Sequence, residues 1–76
     1  MFLADTEYKK IDHKSCNAAY KTFRSLDAAK EECSSDIKCK GIYDVGCKGV
    51  LFRLCPKNEP YVLQFSGCVY DKQNED

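Results

Sequence analysis

The chain has 76 residues, of which 12 are Lys or Arg and 12 are Asp or Glu, so its formal net charge is zero at pH 7. A chain this short forms one domain, and a neutral chain has no overall field to draw it onto nucleic acid or an anionic membrane. Its six cysteines predict a secreted, disulfide-stapled domain, because so small a core rarely suffices alone.

We expect a single domain over residues 1–76, with a core at about 8–72 and frayed ends at 1–6 and 73–76. The first four residues lack the basic and apolar regions of a signal peptide, so either a signal has been removed or the segment belongs to a longer protein. No stretch approaches the roughly 20 apolar residues that cross a bilayer, and we therefore expect no membrane insertion.

One short helix is predicted to begin after Ser25, whose hydroxyl can accept a hydrogen bond from the amide of Asp27 or Ala28. The spacing of Leu26, Ala29 (or alternatively Lys30) and Cys33 places them on one inner face. The polar cluster at 34–36 then favours an exit from the helix. About two turns are expected.

Short strands separated by glycine are predicted after the helix, at 39–44, 50–55 and 67–71, with a possible earlier strand at 7–11. Gly46 and Gly49 indicate a hairpin between the first two. Residues 50–54 are nearly all apolar, which predicts that this strand is covered on both faces and lies at the centre of the sheet.

The chain resembles the PAN/apple domain family over about residues 16–71. The likeness is carried by the helix ending in Cys33, by Cys39 six positions later, and by the cysteine-bearing segments 41–47, 52–55 and 67–70. It implies an α+β fold in which one short helix packs on a curved antiparallel β-sheet. It also implies three disulfides, namely Cys16 with Cys68, Cys33 with Cys55, and Cys39 with Cys47.

Spacing alone does not choose among the many pairings that six cysteines allow. The implied bridge from Cys33 to Cys55 would tie the helix to the central strand. Strict alternation, however, places Cys55 on the same face as Arg53 and opposite Phe52 and Leu54. A bulge, or a strand end before Cys55, would be needed to bring its side chain to the helix.

Reactive chemistry is largely excluded by the composition. His13 is the single histidine, and no short cysteine pair suits zinc. An even, fully paired set of cysteines leaves no thiolate nucleophile, and the acidic residues near the helix start suit the helix dipole. We therefore expect no enzyme activity, no catalytic residue, no metal and no cofactor.

A binding surface is the remaining possibility. If the implied bridge between Cys39 and Cys47 forms, it holds three lysines near one rigid hairpin, where they would bind sulfate or carboxylate groups. The candidate partner-binding residues are Lys38, Lys40, Lys48, Arg53 and Tyr43. Alternatively, lysines here only protect edge strands from pairing with other chains.

Two aromatic residues of the C-terminal half receive opposite predictions. We expect Phe65 to belong to the packed interior, whereas Tyr61, in a loop flanked by prolines, is the ring most expected to be exposed.

Two functions follow from these observations. The resemblance implies a monomeric, non-catalytic, secreted recognition module that binds an extracellular protein or an acidic or sulfated glycan, and not nucleic acid. The alternative is a free-standing secreted effector, such as a toxin-like peptide or a protease inhibitor, since small disulfide-rich scaffolds serve those roles as well.

Overall fold

The computed structural model describes residues 6–73, which form one helix and a five-stranded antiparallel sheet. The α+β class is thereby confirmed. The elements in chain order are β1 (Tyr8–Cys16), β2 (Tyr20–Phe23), α1 (Leu26–Ser34), β3 (Cys39–Asp44), a 3₁₀ turn (Val45–Cys47), β4 (Phe52–Pro56) and β5 (Tyr61–Lys72). The strand order is β1-β5-β3-β4-β2. Residues 1–5 and 74–76, which carry most of the predicted frayed ends, lie outside the described range.

Helix α1 begins and packs as its sequence predicts. The Ser25 hydroxyl accepts a hydrogen bond from the amide of Ala28 at 3.0 Å. Ala29 and Cys33 are fully buried, and Leu26 packs against the same core. The helix ends at Ser34, within the polar cluster predicted to terminate it.

The strand predictions differ in accuracy. The bounds of β3 are correct, and β3 and β4 pair as the predicted antiparallel hairpin, with Gly46 and Gly49 at positive φ in the connection. β1 and β5 are longer than predicted, and β2 was not predicted. β4 begins only at Phe52, and the central strand is β3, because β4 lies between β3 and the edge strand β2.

The sheet buries side chains on both faces. On the face covered by α1, Ile42, Phe52 and Leu54 pack with residues of the helix. On the second face, Cys16, Cys55 and Val69 form a smaller cluster. Alternation along β4 and β5 therefore divides their side chains between two separate cores.

The β1–β5 ribbon bends so that its far part covers the second face. Pairing of Asp12 with Cys68 is followed directly by pairing of Lys14 with Leu63, so that His13 alone stands opposite residues 64–67. His13 has φ 64°, a left-handed conformation that turns the strand. Beyond this bend, Cys16 reaches Cys55 and the Tyr61 hydroxyl lies over Gly41.

All six cysteines are paired, as predicted, but all three implied pairings are wrong. The bridges join Cys16 to Cys55, Cys33 to Cys39, and Cys47 to Cys68. Their Cα atoms are 5.8, 5.3 and 5.3 Å apart, respectively.

The geometry of two strands explains the correction. Cys55 keeps the alternation of β4 without a bulge, so it points away from α1 and toward Cys16. Cys39 is the first residue of β3, and Cys47 lies in the turn beyond its last residue. The strand between them is about 16 Å long, from five steps of roughly 3.3 Å, which is too far for a bridge. Cys39 instead meets Cys33 across the turn that follows the helix.

A basic groove at the end of the helix

An open groove of about 1150 Å³ lies between the end of α1, strand β2 and the loop that joins β4 to β5. Its lining combines charged, polar and apolar side chains. These belong to Tyr20, Lys21, Glu32, Ser35, Asp36, Ile37, Lys38, Pro56, Lys57 and Asn58.

Asp36 organises the floor of the groove. Its carboxylate accepts a hydrogen bond from the backbone amide of Lys38 at 2.9 Å and another from the Tyr20 hydroxyl at 2.9 Å. The Lys38 amide is the largest cause that lowers the pKa of Asp36, and the Tyr20 hydroxyl lowers it further. Burial, and then the hydrogen bond to Asp36, raise the pKa of Tyr20 to about 12. The carboxylate is thus already satisfied by the protein.

Lys72 stabilises the segment between α1 and β3, which forms one side of the groove. Its ammonium group donates hydrogen bonds to the backbone carbonyls of Cys33, Asp36 and Cys39, at 2.6, 3.2 and 3.1 Å. Burial is the first cause that lowers the pKa of Lys72, followed by the nearby charge of Lys57. These contacts, with the Cys33–Cys39 bridge, join the end of β5, the end of α1 and the start of β3 into one rigid unit.

Two exposed lysines, Lys38 and Lys57, line the groove; besides the hydrogen bond from its backbone amide, Lys38 also lowers the pKa of Asp36 through the charge of its ammonium group. The backbone amide of Lys57 donates to the carbonyl of Lys38 at 2.8 Å, which places the two exposed lysines side by side. Lys21 is instead paired with Glu32 at 2.6 Å. Within residues 6–73, neither Lys38 nor Lys57 forms an ion pair. Ile37, 81% exposed, adds an apolar surface beside them.

The predicted lysine patch is divided by the structure. Lys38 lies at the groove, but Lys40 extends over the ring of Tyr61, with its ammonium nitrogen 4.2 Å from the ring centroid. Lys48 follows the 3₁₀ turn beyond the opposite end of β3. The hairpin forms, but Cys39 and Cys47 are not joined, so the prediction that a disulfide between them gathers these lysines is wrong.

Arg53 and Tyr43 are neighbours, but on the second face of the sheet. They stand opposite each other on β4 and β3. Arg53 donates from its guanidinium to the carbonyl of Ala19 at 3.2 Å, and its Nε is buried without a partner among the described residues. The Tyr43 ring lies against Gly67. Both side chains support the packing of the second face rather than the groove.

Lys57 is the groove residue that sequence reasoning missed. In the sequence it belongs to a polar loop between two prolines, 19 positions after Lys38. Antiparallel pairing of Cys39 with Pro56 brings the two lysines together. The predicted hairpin could have identified Lys57 from the sequence, because residues just beyond the ends of two paired strands lie opposite each other.

The expectations for the two aromatic residues are also wrong. Tyr61 is half-buried, and its hydroxyl donates to Asp71 at 2.6 Å. Phe65, in contrast, is 78% exposed, because it lies in the four-residue excursion of β5 opposite His13.

Over residues 6–73, the groove lining contains no cluster of groups arranged to hold a metal ion. Among the described residues, Asp12, Cys47 and Cys68 offer atoms within 4.8 Å of one another, but the two sulfurs are joined as a disulfide and offer no thiolate. No helix in this part of the chain has the length and apolar character required to traverse a bilayer.

Compared with protein-family models, curated proteins and solved structures, the chain matches none.

Proposed function

We propose that this protein is a non-catalytic, extracellular recognition module whose groove binds an acidic ligand, through sulfate or carboxylate groups of a glycan or of another protein. The observation that carries the proposal is the pair of exposed ammonium groups on Lys38 and Lys57, which form no ion pair among the described residues and lie beside exposed Ile37. Ammonium groups form charge-assisted hydrogen bonds with such anions, and the apolar side chain adds contact area.

The rigidity of the groove supports a binding role. Asp36 holds the turn before β3, Lys72 binds three carbonyls behind it, and the Cys33–Cys39 bridge closes the same turn. A surface that is already ordered loses little conformational entropy when a ligand binds. The backbone positions of the two lysines are therefore fixed, while their exposed side chains can reach toward an anion.

An extracellular location is supported by the three disulfides in a chain of 76 residues. Such bridges form and persist in oxidising compartments, and they compensate for a small core.

Likeness to the PAN/apple family supports the proposal only in part. One helix on an antiparallel sheet agrees with the layout that the resemblance implies. The cysteine pairing differs at every bridge, and Cys33 is bound to Cys39 rather than to Cys55. We therefore base the binding role on the groove, and treat family membership as a separate hypothesis that disulfide mapping of the purified protein can decide.

Two probes test the groove and distinguish the sources of its anion, heparin for sulfated glycans and an acidic peptide containing sulfotyrosine for proteins. We expect the disulfide-intact protein to bind at least one of them, with affinity that falls as the salt concentration rises through about 0.15 M. The double variant Lys38→Ala/Lys57→Ala is expected to bind about tenfold or more weakly, because it removes both ammonium groups that form no ion pair.

A matched control is the variant Lys48→Ala/Arg24→Ala, which loses the same charge at exposed positions outside the groove. It is expected to retain most of the affinity, and both variants should unfold within about 0.5 kcal/mol of the parent protein. The proposal is wrong if neither probe binds, or if the two double variants weaken binding equally.

A further inference from the structure

The bend of the β1–β5 ribbon carries apolar side chains into solvent. We call this region the corner, and it comprises His13 and residues 63–66. Phe65 is 78% exposed and Leu63 is 64% exposed. Leu63 and Phe65 are only two positions apart, so the corner presents neighbouring exposed apolar side chains, the pattern that marks a contact surface rather than an isolated exposed residue.

The corner is held in a defined conformation. The rings of His13 and Phe65 meet edge to face, with centroids 6.0 Å apart. The Gln64 side-chain amide donates to the Ser66 hydroxyl at 3.1 Å. At the base of the excursion, a Cβ on Gly67 would lie 2.7 Å from the carbonyl of Lys14, so the two strands are in close contact there. The Phe65 ring is thus presented at a fixed position.

Exposed apolar side chains are concentrated at this end of the molecule. Val50, 58% exposed, lies in the loop after β3, which the Cys47–Cys68 bridge ties to the base of the corner. Ile37, the fourth large apolar residue exposed among the described residues, lies before β3 and thus beyond its other end.

The same end carries a local excess of positive charge, although the whole chain is neutral. Next to the corner, residues 10–16 and 61–70 contain Lys10 and Lys14 against the single acidic residue Asp12, and Lys48 lies in the adjoining loop, which follows the buried Asp44. Lys14 stands directly opposite Leu63 in the ribbon. Self-association through this surface is disfavoured, because a two-fold contact would bring the lysines of both copies together.

We propose that the corner docks on an anionic phospholipid surface, with Phe65 and Leu63 entering the interfacial region and the neighbouring lysines contacting head-group phosphates. Apolar rings with adjacent cationic side chains are the combination that binds such an interface. The neutral net charge excludes only a long-range attraction of the whole chain to a membrane, and the lack of a long apolar segment excludes only a membrane span. Shallow docking requires neither a net positive charge nor a membrane span. The proposal is independent of the groove.

The chain contains no tryptophan, so a Phe65→Trp variant places a single fluorophore at the corner. With vesicles of phosphatidylcholine and phosphatidylserine, we expect its emission to shift to the blue and to be quenched by brominated lipid. With phosphatidylcholine vesicles alone, or at high salt, the shift should be lost. In sedimentation with the anionic vesicles, Phe65→Ser should lower partitioning about tenfold.

Thr22 supplies the control, because it is exposed on strand β2, at the opposite edge of the sheet from β1, and does not line the groove. Thr22→Trp should emit at the same wavelength with and without anionic vesicles, and Thr22→Ser should partition as the parent protein does. Unchanged emission from the tryptophan at position 65, equal binding to neutral vesicles, or an equal loss in Thr22→Ser would each overturn the proposal. Binding of the corner to a protein alone would appear as the first of these outcomes.

Discussion

The substitution Gly41→Ala probes how closely the folded ribbon lies on the second face of the sheet. Gly41 is buried in the central strand, and its backbone is not in the left-handed region, so alanine is acceptable to the main chain. A Cβ there would overlap the Tyr61 hydroxyl and lie 2.9 Å from the carbonyl of Tyr70. The hydroxyl must move, and its 2.6 Å hydrogen bond to Asp71 is then lost.

We expect Gly41→Ala to lower the free energy of unfolding by about 3 to 5 kcal/mol, which combines overpacking with the loss of a hydrogen bond to a carboxylate. The assay is urea unfolding with the disulfides intact, carried out on four proteins: the parent, Gly41→Ala, Tyr61→Phe and the double variant. Without the hydroxyl, the nearest ring atom of residue 61 would be Cζ, at 3.3 Å. The double variant should therefore be no less stable than Gly41→Ala alone.

The coupling energy of this cycle is expected to be about 1 to 3 kcal/mol. The contact with the Tyr70 carbonyl persists in both variants that have alanine in place of Gly41, so full recovery is not expected. If the destabilisations caused by Gly41→Ala and by Tyr61→Phe add to within about 0.5 kcal/mol of that of the double variant, Tyr61 does not cover Gly41. The folding of the ribbon over the second face would then be refuted as well.

Three further predictions concern the bridges, Lys72 and the alkaline limit of stability. Mild reductant should cleave Cys47–Cys68 first, as read by alkylation and peptide mapping, because Cys47 is half-buried whereas both cysteines of each other bridge are buried; earlier cleavage of another bridge would contradict this. Lys72→Met removes three hydrogen bonds and should lower the free energy of unfolding by about 2 to 4 kcal/mol, whereas Lys57→Met should change it by no more than about 0.5 kcal/mol. The pKa of Tyr20 is raised from 10.0 to about 12, so its contribution to stability is complete below pH 10 and is lost as the pH rises toward 12. Ultraviolet titration of the parent and of Tyr20→Phe measures this, and ionisation of Tyr20 near pH 10 would contradict it.

Local features of the fold were predictable from the sequence. The Ser25 cap and the spacing of Leu26, Ala29 and Cys33 determine where α1 begins and which face it buries, because these interactions lie within a few residues. The bounds of β3 followed from its own residues in the same way.

Features that depend on long-range pairing were not predictable. Strand β2 has only four residues, and the positive φ of Lys21 (59°) interrupts the alternation of its side chains between the two faces. Its sequence therefore shows no alternation of apolar and polar residues. Lys57 reaches the groove only through pairing of β3 with β4. The position of Cys55 is instructive, because strict alternation already placed it away from the helix. Here the elementary geometry of a strand was a better guide to the disulfides than the family likeness.

The two strands that form the ribbon also bring the ends of the described chain together. The amide of Gln73 donates a hydrogen bond to the carbonyl of Glu7 at 2.8 Å, extending the ladder of Tyr8 and Lys72 by one residue. A host polypeptide can therefore leave one of its surface loops, form this domain and return to the same point, with little strain on either partner. For the same reason, a short peptide joining the two ends would yield a circular permutant, with new termini placed in the exposed 57–60 loop.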